Sequence, residues 1–166
     1  LVAEGFDCAI RVGHLSDSNM MARLVGWTTG KYVAAPEYIE RHGSPETPDE
    51  FVTHQVVMQG TESWPVADGG KIVMMKRQGR FRADNAVALV GAALAGIGLA
   101  GLPEALIKEH LASGALVEVM RRYPIPKLGI YVIRPPGQHP ARKIRVLTEM
   151  LIECFGGSAL NTQETR

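Results

Sequence analysis

Arg82-Ala83-Asp84-Asn85-Ala86-Val87-Ala88-Leu89-Val90-Gly91-Ala92-Ala93-Leu94-Ala95-Gly96-Ile97-Gly98-Leu99-Ala100-Gly101-Leu102-Pro103 is the stretch whose reading decides the fold. Asp84 or Asn85 is a side chain able to cap a helix, and the Ala-rich run to Ala95 is one that Gly96 can close. Ile97 to Leu102 has the length and apolar character of a buried strand, and Pro103 suits the first position of a new helix running from Glu104 to Ala112. Gly96-Ile97-Gly98-Leu99-Ala100-Gly101 also matches the dinucleotide pattern G-x-G-x-x-G. That chemistry needs the glycines between a strand and the helix whose amino end holds the pyrophosphate. Here a helix precedes the glycines and a strand contains the last of them. The order opposes a nucleotide site. Gly96 is read instead as a helix stop, and Gly98 and Gly101 as places where backbone packs closely.

Working outward, helices and strands alternate on both sides. Phe6 to Gly13 is a β-prone run ended by glycine, and Trp27 to Ala35 is a second extended run with a bend at Gly30. Pro36 and Gly43 bracket a short helix, and Thr47-Pro48-Asp49-Glu50 combines an N-cap, a first-turn proline and the Glu of a capping box. Gln55 to Gln59 reads as a strand, and Gly60 to Pro65 as a loop. Ala67-Asp68-Gly69-Gly70-Lys71 has the composition of a hairpin turn, followed by strands at Ile72–Met75 and Arg80–Ala83. Further strands are expected at Leu116–Met120 and Leu128–Arg134. Pro140 opens a last helix on which Ile144, Leu147, Leu151 and Phe155 form an apolar stripe. Mixed helices and strands with hairpin signals imply an α/β class with mixed sheets.

The 18 basic and 17 acidic residues nearly cancel, so charge gives this chain no grip on nucleic acid or an anionic membrane. No apolar run reaches the roughly 18–20 residues of a membrane span, and the start lacks the features of a signal peptide. Cys8 and Cys154 sit in apolar surroundings and are expected to be small buried hydrophobes, a usage that fits a reducing cytoplasm. The five histidines show no metal-ligand spacing, and no nucleophile elbow appears. No catalytic residue, metal or cofactor is expected. Asp84-Asn85 is different, because a helix start leaves backbone N–H groups free and favours negative charge. It suits a small carboxylate or polar ligand, or it merely caps the helix. Arg11 ends a strand where ligand sites form in open α/β sheets, or it makes a surface ion pair. Trp64 either walls a pocket or packs. The cluster Lys76-Arg77, Arg80 and Arg82 reads as a solvated hairpin face.

These pieces together resemble a known family. Gly5-Phe6-Asp7-Cys8-Ala9-Ile10-Arg11-Val12-Gly13 is similar to the G-[FY]-D-x-A-I-R-x-G strand of LysR-type transcriptional regulators. Tyr32-Val33-Ala34-Ala35-Pro36-Glu37-Tyr38-Ile39 with His42-Gly43-Ser44-Pro45 resembles their A-S-P-x-Y-L…H-G-x-P segment, and Asp84 to Leu89 with Ala93 to Pro103 resembles N-N-x-x-A-L…A-L-A-G-x-G-I-A-x-L-P. The order and spacing of the pieces cover nearly all of residues 4–155.

The resemblance implies a periplasmic-binding-protein-like (type II) effector domain. In it two α/β lobes with mixed sheets are joined by two crossover strands, here near Thr28–Ala34 and Gly129–Arg134. The first lobe would comprise residues 1–27 and 134–157 and be incomplete, the second residues 28–133, with 158–166 a disordered tail. The family's winged helix-turn-helix, its linker helix and the first strand and helix of the first lobe would precede Leu1, and their loss would leave apolar surface uncovered. A small-molecule effector, aromatic or carboxylated, would sit in the inter-lobe cleft. By position, its contacts would be Arg11, Val12 and Gly13; Ala35 and Pro36; Gly60, Thr61 and Trp64 of a closing loop; Asn85, Ala86 and Val87; and Leu102 and Pro103. Ala35 stands where the family often has Ser, which removes a hydroxyl. The implied protein is a cytoplasmic homodimer or tetramer that meets DNA only through the absent helix-turn-helix and meets no membrane. The alternative is a periplasmic solute-binding protein, with a dinucleotide enzyme a distant third.

Overall fold

The computed structural model describes residues 5–13, 19–59, 63–76, 79, 81–137 and 140–156. In chain order, β1 (Ala9–Gly13), β2 (Met21–Thr28) and β3 (Gly30–Ala34) lead to α1 (Pro36–His42) and α2 (Pro48–Phe51). Next come β4 (Val56–Met58), β5 (Ser63–Asp68), β6 (Lys71–Lys76) and β7 (Phe81–Arg82). The chain continues with α3 (Ala86–Leu94), β8 (Leu99–Pro103), α4 (Glu104–Ala112), β9 (Val117–Val119), β10 (Leu128–Arg134) and α5 (Arg142–Phe155). The expected polar tail, residues 158–166, lies outside the described residues.

The chain forms two compact units, Leu1–Thr28 with Lys127–Arg166, and Thr29–Pro126. The family resemblance implies a second boundary after residue 133. Residues 128–134 instead belong with the first unit, because β10 is hydrogen-bonded on one side to β1 and on the other to β2. The extended run expected from Trp27 to Ala35 is likewise divided at Thr29, β2 ending in one unit and β3 opening the other.

The first unit is an antiparallel sheet of order β1-β10-β2 with α5 packed on it. Val25, Ile130, Val132 and Ile144 form its core, with Cys8, Leu151 and Ile152 against them. The expected stripe on α5 is rotated. Thr148 is buried, its hydroxyl donating to the Ile144 carbonyl at 2.7 Å, whereas Phe155 is 40% exposed. Cys154 lies on the exposed side, against expectation, and Cys8 is half-buried. Gly26 is needed because a Cβ there would come within 2.5 Å of the Phe155 Cβ. Ile10 and Val12 on β1 are about half exposed, at 53% and 49%.

The second unit is built on a mixed sheet of order β7-β4-β8-β3-β9, with the β5–β6 hairpin beside it. Alternation along the strands sorts the core into two layers. Tyr32, Ala34, Val56, Met58 and Leu99 pack with Tyr38 of α1, Phe51 of α2, and Trp64, Val66 and Met75 of the hairpin. Val33, Val57, Ala100 and Leu102 pack with α3 and α4 through Leu89, Val90, Ala93 and Ile107. The hairpin turn falls where Gly69 and Gly70 take φ of 53° and 83°, a left-handed pair that only glycine adopts without strain. Thr47 caps α2 by accepting the Glu50 N–H at 3.3 Å, and the Glu50 carboxylate accepts the Glu46 N–H at 2.8 Å. Thr47→Ala is therefore expected to cost about 1 kcal/mol of unfolding free energy in urea titration, and Thr47→Ser to restore most of it.

Candidate effector site

The sheet of the second unit places several connections at one edge. β4 runs parallel to β7, with Met58 opposite Arg82, and parallel to β8, with Val57 opposite Ala100. The carboxyl ends of all three therefore point the same way. After β4 the chain passes to the hairpin on the Tyr32–Met58 face. After β7 and β8 it passes to α3 and α4 on the opposite face. Neighbouring strands whose connections leave to opposite faces open a crevice at their carboxyl ends, where ligands bind in open α/β sheets.

Asn85 stands at that edge. Its backbone is extended, at φ −114° and ψ 120°, and its Oδ1 accepts the Val87 N–H at 2.8 Å, which makes it the N-cap of α3. The approach to the helix is fixed from β4. The Ala83 N–H donates to the Met58 carbonyl at 3.0 Å, and the Gln59 side-chain amide donates to the Asp84 carbonyl at 3.4 Å. The Asn85 amide nitrogen has no hydrogen-bond partner among the described residues. Val87, in the first turn, is 72% exposed. The amino end of α3 carries partial positive charge and N–H groups beyond the reach of intrahelical acceptors, and no acidic side chain occupies its first turn. At the carboxyl end of β8, Thr29 and Glu104 bind each other twice, side chain to side chain at 2.9 Å and Glu104 N–H to the Thr29 carbonyl at 3.0 Å. That pair ties the start of β3 to the carboxyl end of β8.

The sequence-expected residues fall into distinct places. Asn85, Ala86 and Val87 head α3, and Pro103 ends β8 opposite Gly30. Leu102 is there too, but its side chain is buried against α3 and α4, leaving only its backbone for a ligand. Ala35 and Pro36 are elsewhere. β3 runs antiparallel to β8, from Gly30 opposite Pro103 to Val33 opposite Ala100. Ala35 thus lies five residues from Gly30, about 16 Å along the strand and at the sheet's other edge. It is buried and serves as the N-cap of α1 without a side-chain hydrogen bond, so the hydroxyl it lacks is a missing cap. Trp64 is not a loop residue. It lies in β5, 7% exposed, stacked on Tyr32 at 5.3 Å with 9° between the rings, and 5.4 Å from Phe51. Gly60 and Thr61 lie outside the described residues. Arg11 and Val12 are exposed on β1 of the first unit, opposite Tyr131 and Ile130, and Gly13 ends that strand. No local pattern marks Gln59, Thr29 and Glu104, since the parallel register of β4 with β8 and the antiparallel register of β3 with β8 bring them to this edge. Among the described residues, no group of three or more His, Cys, Asp or Glu could hold a metal, and no helix is long and apolar enough to cross a membrane.

The model of the LysR substrate binding domain matches residues 1–155. The chain belongs to that family. It is an effector-binding regulatory domain of LysR type, in the periplasmic-binding-protein-like (type II) class, and its relatives are transcription regulators, not enzymes or periplasmic carriers. An uncharacterized HTH-type transcriptional regulator of Haemophilus influenzae is 31% identical over 148 residues, covering 87% of this chain and 51% of the relative. The HTH-type transcriptional activator AaeR of Escherichia coli is 28% identical over 159 residues, covering 93% and 52%. Among solved structures, the regulatory domain of CrgA from Neisseria meningitidis superposes with a TM-score of 0.74 at 25% identity, covering 94% of this chain and 78% of that one. Full-length AphB, the Vibrio cholerae virulence activator, gives 0.71 at 27%, covering 90% and 52%. The LysR domain described here spans about half the length of the curated relatives it matches.

Proposed function

We propose that this domain binds a small aromatic or carboxylated metabolite at the carboxyl ends of β4 and β8. The observation that carries the proposal is the start of α3 at that edge, with the Asn85 amide nitrogen unpartnered among the described residues and the exposed Val87 in the first turn. Asn85, the backbone N–H of Ala86, the exposed side chain of Val87, Gly60, Thr61 and the end of β8 at Leu102 and Pro103 form the recognition set in the second unit. A carboxylate suits the positive end of α3. Arg11, Val12 and Gly13 of the first unit enter the proposal on the family resemblance alone. A ligand favours the state of the domain that it binds better, by no more than its difference in affinity. In the intact cytoplasmic regulator, a homodimer or tetramer, that preference alters how the helix-turn-helix heads meet DNA.

Thermal-shift screening of aromatic and carboxylated metabolites tests this. A ligand at a hundred times its Kd adds about 2.7 kcal/mol of stability. For a confirmed hit, Asn85→Ala and Arg11→Ala are each expected to weaken binding by about tenfold or more in calorimetry, equivalent to about 1.4 kcal/mol. Asn85→Asp retains the cap but sets a carboxylate against an anionic ligand, which separates capping from recognition. Unchanged affinity in all three variants would remove Asn85 and Arg11 from the site.

A further inference from the structure

Where α1, α2 and β4 meet, three polar groups share one buried hydroxyl. Tyr38 is 2% exposed. Its oxygen accepts the Gln55 N–H at 3.0 Å and lies 3.2 Å from Nδ1 of His54. The Gln55 carbonyl is 3.5 Å from the same hydroxyl and already accepts the Leu99 N–H at 2.9 Å. A hydroxyl has one proton to donate. All these groups are satisfied together when His54 is neutral with its proton on Nε2: Gln55 N–H donates to the Tyr38 oxygen, and the Tyr38 proton goes to Nδ1.

We propose that Tyr38, His54 and Gln55 form a proton-sensitive clasp that fixes this corner of the second unit at neutral pH and loosens on acidification. A proton gained by His54 turns Nδ1 from acceptor into donor. Two N–H groups then point at the Tyr38 oxygen, and the hydroxyl proton loses its acceptor. The remaining acceptor is the Gln55 carbonyl, at the longer distance and already engaged by Leu99. Burial of Tyr38 removes the relief that solvent gives at a surface, and an unsatisfied buried polar group is costly.

The charged surroundings do not offset this. His42 of α1 packs against the Tyr38 ring, centroids 4.6 Å apart, and repels a second positive charge. Glu50 of α2 attracts it, and Gln55, just before β4, is uncharged. Burial foremost, then His42, and against them Glu50, leave the His54 pKa below its usual 6.5. The folded chain therefore holds fewer protons than the unfolded chain just below pH 6.5. The clasp's stabilisation is complete above that pH and is lost as pH falls from 6.5 toward the folded value. The loosening reaches further along the chain. Gln55 also receives the Leu99 N–H, and Gly98 packs so tightly that a Cβ there would lie 2.6 Å from the Gln55 oxygen. The clasp is thus joined to the turn that carries α3 back into β8.

The test combines NMR titration of the histidine ring protons with melting of the 166-residue chain between pH 7.5 and about 5. His54 is expected to titrate below the ordinary histidine value, and the melting temperature to fall as it does. His54→Gln keeps an acceptor but cannot titrate, so the fall should flatten by at least half. Tyr38→Phe removes the hydroxyl and should bring the His54 titration toward the ordinary value. The proposal is overturned if His54 titrates at or above 6.5, or if His54→Gln melts with the wild-type pH slope. Should His54→Gln not fold, the wild-type ring titration decides alone.

Discussion

Phe51→Ala is expected to destabilise the second unit by about 3–5 kcal/mol, the range for deleting a buried aromatic ring. Phe51 is 0% exposed and lies 5.6 Å from the Tyr32 ring and 5.4 Å from Trp64. Two separate layers of support would be lost. The ring fills the layer between the sheet and the hairpin, and neighbours held in strands relax only partly into the space it leaves. It is also the last residue of α2, a single turn of four residues that cannot persist on helix propensity. Against a total stability of about 5–15 kcal/mol the loss is large. Trp64 belongs to the second unit and Trp27 to the first. Urea unfolding followed by Trp64 fluorescence in a Trp27→Phe background therefore reports the second unit. A loss below about 1.5 kcal/mol would mean that α2 and the hairpin close the gap more completely than packed cores usually do.

Gly98→Ala and Gly91→Ala make the same chemical change with opposite expected signs. A Cβ on Gly98 would lie 2.6 Å from the Gln55 oxygen, 2.8 Å from its carbonyl carbon and 3.2 Å from the Val56 nitrogen. All three are backbone atoms, so no flexible side chain can yield. The turn and β4 must separate, which strains the Leu99 N–H to Gln55 hydrogen bond and the pairing of Val56 with Leu99. The expected loss is about 3 kcal/mol, the upper part of the usual overpacking range. Gly91 lies within α3, exposed, with nothing within 4 Å of a built Cβ. Alanine there removes glycine's entropic cost and should stabilise by about 0.5–1 kcal/mol. Equal effects from the two substitutions would show that the close approach at Gly98 does not govern stability.

The features that were legible in the chain are those that short-range physics controls. Asn85 caps α3 as its side chain predicts, Thr47 caps α2, and Gly69-Gly70 makes the hairpin turn. The stop at Gly96 takes φ of 68°, and the order of elements around Gly98 and Gly101 rules out the nucleotide reading their spacing invites. Each of these depends on hydrogen bonds or dihedral freedom within four or five residues. The composition of Gly60 to Pro65 predicts a loop, yet β5 begins at Ser63. Pro65 and the missing alternation hide it, although an edge strand tolerates proline and, among the described residues, β5 pairs with β6 alone.

Candidate site residues divide along the same line. Asn85 is legible as the head of α3 because a helix start announces itself locally, whereas Ala35 and Trp64 are placed by the family resemblance and lie in other surroundings. The antiparallel register of β3 and β8 carries Ala35 to the far edge of the sheet. Tyr32 and Phe51, 32 and 13 residues before Trp64 in the sequence, draw the indole into the core. Periodicity says which face of a strand is apolar but not which strand lies beside it or at which residue. The sequence alone thus determined the α/β class, the helix caps, the glycine turns and the head of α3. Tertiary structure decided the sheet order, the allotment of residues 128–134 to the first unit, and the burial of Trp64. Those outcomes depend on hydrogen bonding and packing between segments far apart in the chain, and no local pattern encodes them.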